Sequence, residues 1–277
     1  MAEQITNASL FEWQCSRLER LRNMTFRPRG MLGVTVVIYH FWDDVLFDRQ
    51  FDAVECAIYT AWQHCGLLKT RLVTNRSSNR IEAFASKFGG WFDICVNPFL
   101  IPGSVPSMSV DCNANLFRYF DTDYVLVIQN DGFPLRTGLE EFVGRYDYVG
   151  APFVRKTKIN RLVGLWPRFA VGNGGFSLRS RKICELASYY WIKRYKWMPH
   201  DWRFVREDVF FCVLLPFLEP NYRAAVRFAP CEEAKRFSYD CLYNEDVQSL
   251  PFGFHGNGAF QYLTRAGLLA SDGRDIN

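Results

Sequence analysis

The chain has 277 residues, 49% of them hydrophobic and 17% aromatic, which excludes a disordered chain and supplies enough apolar surface for one large α/β domain. The formal net charge of +4, from 33 basic and 29 acidic residues, is too small to call for nucleic acid and fits anionic small ligands. Nine cysteines without a Cys-x-x-Cys pair argue against a disulfide or zinc framework. Cys56, Cys184 and Cys212 fall in apolar helical patterns and read as buried thiols of a reducing, cytoplasmic compartment. No window reaches the ~20 apolar residues of a membrane span, and residues 1–30 hold no apolar signal core.

Residues 1–30 form an amphipathic N-terminal extension ahead of a domain over 31–277. Leu10, Trp13, Leu18, Leu21 and Met24 recur at helical spacing with Arg17, Arg20 and Arg22 between them. Such a helix either packs on the domain or rests on a membrane surface near a lipid-linked acceptor.

The run from Gly33 to Phe41 is the first strand, and Tyr39 or His40 at its end is placed to touch a nucleotide base. Phe51, Val54, Ile58, Trp62 and Cys65 mark one face of a helix that stops at Gly66. A strand over Thr70–Thr74 follows, then a helix with Asn79 and Glu82 as a capping box, ending near Gly89. Phe92–Val96 is a third strand. A Pro-rich connection, a helix over Val110–Phe120 and the apolar run Val125–Ile128 come next. Strands alternating with helices predict a mostly parallel sheet with right-handed crossovers. Beyond it, the pattern predicts a short helix over Thr137–Arg145, an extended segment over Asp147–Pro152 and a basic loop over 153–169 able to fold onto an anionic donor.

Four stretches carry chemistry. Val125–Ile128 runs into Gln129, Asn130, Asp131 and Gly132. Ligands of open α/β sheets sit at the C-terminal ends of strands, so Asp131 is placed to hold a divalent cation, although Asn-Asp-Gly is also ordinary turn chemistry. Gly172, Gly174 and Gly175 let backbone approach a ligand closely, before a helix capped by Ser180. The segment lacks the Gly-Lys-Ser/Thr ending of a P-loop. Glu207 and Asp208 stand before the apolar run Val209–Leu215. An N-cap explains one carboxylate, and adjacent helical side chains diverge, so one can pair with a base while the other faces a cleft. The helix dipole would keep such a carboxylate ionised, as a general base requires. His255, between Gly253 and Gly256, would complete with Asp131 a site suited to Mn²⁺ or Mg²⁺.

In this order the stretches IQNDG, GNGGFSLRSRK, EDVFFC and PFGFHG resemble a GT-A-type glycosyltransferase. The resemblance spans roughly Gly33 to Phe260 and is closest to a glycosyltransferase-like family catalogued as a domain of unknown function. The Gly-Gly turn followed by Glu-Asp-Val is also similar to the β1,3-glycosyltransferases. The resemblance implies a GT-A-like, Rossmann-like single domain with a mixed, mostly parallel sheet flanked by helices. It implies transfer of a hexosyl or pentosyl group from a nucleotide diphosphate sugar, UDP-linked, to a glycan or lipid-linked oligosaccharide hydroxyl. Asp131 corresponds to the last acid of the Asp-x-Asp motif, and Gln129 replaces the first. Asn130 and Tyr39 fall on the donor side, Gly174 and Gly175 border donor and acceptor, and His255 completes the metal site. Asp208 corresponds to the base of an inverting reaction, with Glu207 the second choice. A retaining enzyme, or a non-catalytic nucleotide-sugar or glycan-binding domain, is the alternative implied by Gln129.

Overall fold

The computed structural model describes residues 10–28, 33–43, 47–153, 171–195, 205–240 and 249–270. Its centre is a six-stranded sheet in the order β3-β2-β1-β4-β7-β6. Strands β1 (Val34–His40), β2 (Thr70–Thr74), β3 (Phe92–Val96) and β4 (Tyr124–Ile128) run parallel. The sheet is mixed because β7 (Phe176–Ser180) pairs antiparallel with both β4 and β6 (Tyr148–Gly150). Three very short strands make a second sheet: β5 (Gly132–Pro134), β8 (Ser238–Asp240) and β9 (Gly253–His255), with β9 in the middle.

Side-chain alternation sends successive residues of each strand to opposite faces. Val36, Ile38, Leu126 and Ile128 pack on one side with α1 (Leu10–Leu21), α2 (Phe47–Cys65) and α3 (Asn79–Phe88). Val37, Val125 and Val127 pack on the other with α4 (Val105–Asn115) and α5 (Arg181–Tyr190). Both faces of the central strands are covered, which is why Val125–Ile128 reads as a continuous apolar run. Each such buried aliphatic side chain contributes about 1.5–3 kcal/mol relative to exposure.

The apolar face of α1 is used up by this core. Trp13 is fully buried against Phe133, Phe254 and Phe260. Several expectations shift by physical cause. The cap of α3 is Ser78, whose side chain accepts from Ile81 N–H, rather than Asn79. Helix α4 starts at Val105 because Ser104 caps it and Pro106 fits its first turn. The segment expected as a helix over Thr137–Arg145 is only a 3₁₀ turn, Leu139–Glu141, bounded by glycines with positive φ. The expected loop over 153–169 lies, apart from Phe153, outside the described residues.

From β1 the chain winds outward through β2 to β3, then returns to place β4 on the other side of β1. That reversal opens a crevice at the C-terminal ends of β1 and β4, where α/β sheets bind ligands. The residues leaving β4 are Gln129, Asn130 and Asp131.

Candidate active site

Two short strands bring the distant histidine to the end of β4. Antiparallel pairing sets His255 opposite Gly132, and parallel pairing sets it opposite Asp240. Gly256 N–H donates to the Asp131 carbonyl at 2.9 Å, closing the two segments on one another. His255 Nε2 then lies 3.2 Å from Asp131 Oδ1 and 3.1 Å from Gln129 Oε1, while Nδ1 lies 3.6 Å from Asp240 Oδ2. Asp131 and His255, separated by 124 positions in the sequence, therefore share one site, and Gln129 joins them.

The electrostatics follow from that packing. Burial alone would lower the His255 pKa, but the charge and hydrogen bonding of Asp131, with Asp240 behind, raise it to about 10. Burial pushes Asp131 the other way, and the imidazolium outweighs it, so the carboxyl sits below its usual value. Asp131 Oδ1 is shielded from solvent and faces His255 Nε2 directly. Two oxygen acceptors thus converge on one imidazole nitrogen. Once that nitrogen loses its proton, three lone pairs face a common point, a donor set of oxygen and imidazole that suits Mn²⁺ or Mg²⁺. Among the described residues no three His, Cys, Asp or Glu side chains cluster to hold a metal, so the third protein donor in this set is the amide oxygen of Gln129.

The glycine turn lies directly beside this cluster. A methyl group on Gly175 would fall 2.0 Å from His255 Nε2, and one on Gly174 would fall 1.9 Å from Glu207 Oε1. The turn is therefore a saddle between the histidine and the Glu-Asp pair, and only hydrogen fits at either residue. Gly175 O accepts from Gln129 N–H at 2.8 Å and ties the turn to β4.

Glu207 is buried. It accepts from Ser109 Oγ at 3.0 Å and lies 3.8 Å from Arg179 Nη2. Arg179 is fully buried as well, donating to Ser177 Oγ and the Gly174 carbonyl, with its guanidinium over Tyr148 and Phe211. This pair fixes the floor of the saddle. Asp208 diverges from it and is half-buried, accepting from Val209 N–H at 2.7 Å. The helix that begins with Glu207 passes at once into a π-helical turn over Phe210–Leu214, a geometry frequent at functional sites. Burial, and then the charge of Glu207, pushes the Asp208 carboxyl up to about 7, against the expectation that the helix dipole would hold it ionised at low pH.

Two other expected residues are placed differently. Tyr39 faces the interior at 4% exposure and donates its hydroxyl to Asp111 Oδ2, so it does not line the crevice. Asn130 spends its polar groups inside the fold, its amide donating to Gln50 Oε1 and its carbonyl accepting from Gln14. Residues that sequence reasoning missed include Asp111, Ser109, Arg179 and Asp240. Asp111 accepts from Tyr39, Tyr119, Asn97 and Asn115. Nothing local marks these residues, since a lone Arg or Asp in an amphipathic stretch reads as surface.

The mostly parallel six-stranded sheet flanked by helices is a GT-A-like glycosyltransferase fold. The galactosyltransferase LgtC, solved in complex with donor and acceptor sugar analogues, aligns with a TM-score of 0.50 at 16% identity over 85% of this chain and 96% of its own. Mouse xyloside xylosyltransferase 1 gives 0.46 at 11% identity, covering 81% and 97%. The Streptococcus pneumoniae TIGR4 glycosyltransferase GlyE gives 0.45 at 12% identity over 79% of this chain, which spans about half (53%) of GlyE. No curated protein matches the sequence. A family model described as "Protein of unknown function (DUF5672)" matches residues 108–255, more than half of the chain, and the chain belongs to that family. The matched segment runs from just before Ser109 to His255 and so contains Asp131, the glycine saddle, Glu207 and Asp208.

Proposed function

We propose that this protein is a glycosyltransferase that moves a hexosyl or pentosyl group from a UDP-linked sugar to a glycan or lipid-linked oligosaccharide hydroxyl. The observation that carries the reading is the convergence of Asp131 Oδ1 and Gln129 Oε1 on His255 Nε2 at the reversal point of the sheet, with Gly175 against the same nitrogen. Asp131, His255 and Gln129 would hold Mn²⁺ or Mg²⁺. Bound there, the cation would supply Lewis-acid neutralisation of the charge that gathers on a departing diphosphate.

The chain's own residues do the rest. Gly174 and Gly175, having no side chains, let Glu207 and His255 stand directly against the turn that would border donor and acceptor. Arg179 and Ser109 hold Glu207 in place, which leaves Asp208 as the less committed carboxylate and supports it, rather than Glu207, as the base that takes the acceptor proton. Its value near 7 suits that task at neutral pH. Attack by the deprotonating hydroxyl on the anomeric carbon, opposite the leaving diphosphate, inverts the configuration. Cys56, Cys112, Cys184 and Cys212 are buried thiols packed in the core, which supports a reducing, cytoplasmic setting with any membrane contact peripheral.

The test is a panel of nucleotide sugars with and without Mn²⁺. Ligand-induced thermal stabilisation identifies the donor, and donor hydrolysis or transfer measures turnover. Cation-dependent consumption of one donor with an inverted product is expected. A retained product would remove Asp208 from the base role. Gln129, where a carboxylate would bind a cation more strongly, favours one second reading, a nucleotide-sugar-binding domain, and binding of UDP without turnover of any donor would establish it.

A further inference from the structure

The two segments proposed to grip the cation, the turn after β4 and strand β9, lie far apart in the sequence, and one further element touches both. Helix α1 lies across them. Gln14, itself buried, donates its side-chain amide to the Asn130 carbonyl at 2.8 Å, between Gln129 and Asp131. Leu10 N–H, at the start of the same helix, reaches Asn257 Oδ1 at 3.4 Å, two residues past His255. Between these ties Trp13 wedges its indole against Phe133, next to Gly132, and against Phe254, next to His255, with ring centroids 5.1 and 6.0 Å away. Gln50 of α2 accepts from the Asn130 side-chain amide at 3.0 Å. Asn130, between the two oxygen donors of the site, is thus held at its carbonyl by Gln14 and at its side-chain amide by Gln50, side chains with no place in the reaction.

We propose that α1 is a splint for the cation site and that Gln14 is its positioning residue. The inference rests on the cation reading above and extends it to the N-terminal helix. The physical case is one of satisfaction and leverage. A part-buried carbonyl that loses such a side-chain donor must find another partner or turn. Turning the 130 peptide rotates Gln129 and Asp131, which flank it, away from His255. Outer hydrogen bonds of this kind hold ligands in register, and removing one costs about 10–100-fold in metal affinity.

The experiment uses the full chain and two substitutions in α1. Gln14→Met keeps the volume and removes the donor. Leu18→Ala removes buried apolar contact from the same helix without touching Asn130. Mn²⁺ binding is read by titration calorimetry on both and on the wild type. Expected is affinity at least about 10-fold weaker in Gln14→Met and unchanged in folded Leu18→Ala, even where Leu18→Ala has the lower melting temperature. Equal affinities in Gln14→Met and wild type, or equal losses in the two variants, would overturn the splint. Should the wild type bind no Mn²⁺, it is the cation reading that fails. Amide exchange over 129–132 and 255–257 then decides the splint by itself, which requires faster exchange there in Gln14→Met than in Leu18→Ala.

Discussion

A single methyl group at residue 175 probes the site at its narrowest point. In Gly175→Ala the new carbon would stand 2.0 Å from His255 Nε2, 2.4 Å from Cδ2 and 2.5 Å from Cε1, where ordinary contact begins near 3.4 Å. The imidazole would have to withdraw by about 1.4 Å, and it has little room to do so. It is held between Asp131 and Asp240, and its backbone is paired on both sides. Overpacking of this kind costs about 1–3 kcal/mol. At about 2–4 °C per kcal/mol for a chain of this size, the melting temperature should fall by about 2–12 °C. The functional loss should be larger, because a displacement of about 1 Å at a reacting group is worth about 10²-fold. Mn²⁺ affinity by calorimetry and thermal unfolding by scanning fluorimetry report the two effects separately. Gly90→Ala is the control, since a methyl there meets nothing within 4 Å and should be close to neutral in both. A Gly175→Ala protein that binds Mn²⁺ like the wild type would show that His255 Nε2 does not face the cation.

Four more outcomes follow from the same geometry. Asp208→Asn should lower turnover by about 10² or more with donor affinity nearly unchanged. In the wild type, the base is active when ionised, so kcat should be small below pH 7, rise through about 7 and level off above it, and a flat profile would contradict the assignment. His255, raised to about 10 without a cation, must release a proton to bind one, so apparent Mn²⁺ affinity should climb about tenfold per pH unit below 10. Calorimetry in buffers of different ionisation enthalpy counts that proton, and a count of zero would refute the coupling. Arg179→Met leaves Glu207 buried without its cation and should cost about 3–5 kcal/mol of stability, read as a lowered denaturation midpoint.

How far the sequence spoke for itself depended on element length. Strands β1 to β4 are runs of five to seven residues rich in apolar or β-branched side chains, and each stood out. The Ser180 cap was legible because an oxygen-bearing side chain preceded an amphipathic helix, and the structure shows it accepting from Ile183 N–H. Strand β7 was missed because Ser177 and Arg179 make it read as polar, although both are buried. Arg179 is tolerated there because the Gly174 carbonyl, the Ser177 hydroxyl and, from a distant segment, the Glu207 carboxylate surround it. Strands β5, β8 and β9 have three residues each, too few to show any period, yet their register is what brings His255 to Asp131 and Asp240. The motifs carrying Asp131, Gly174, Glu207 and His255 were each visible as local chemistry. What no local pattern contained was the layout: a saddle with a histidine on one side and a braced acid pair on the other, and Tyr39 turned inward onto Asp111.

Pulsed electron paramagnetic resonance on the Mn²⁺-loaded protein addresses the shared cation most directly. One bound ion showing nitrogen coupling from an imidazole is expected, with that coupling absent in His255→Gln and the ion itself lost in Asp131→Asn. A bound Mn²⁺ without nitrogen coupling, or coupling that survives in His255→Gln, would contradict the joining of these two residues at a single ion.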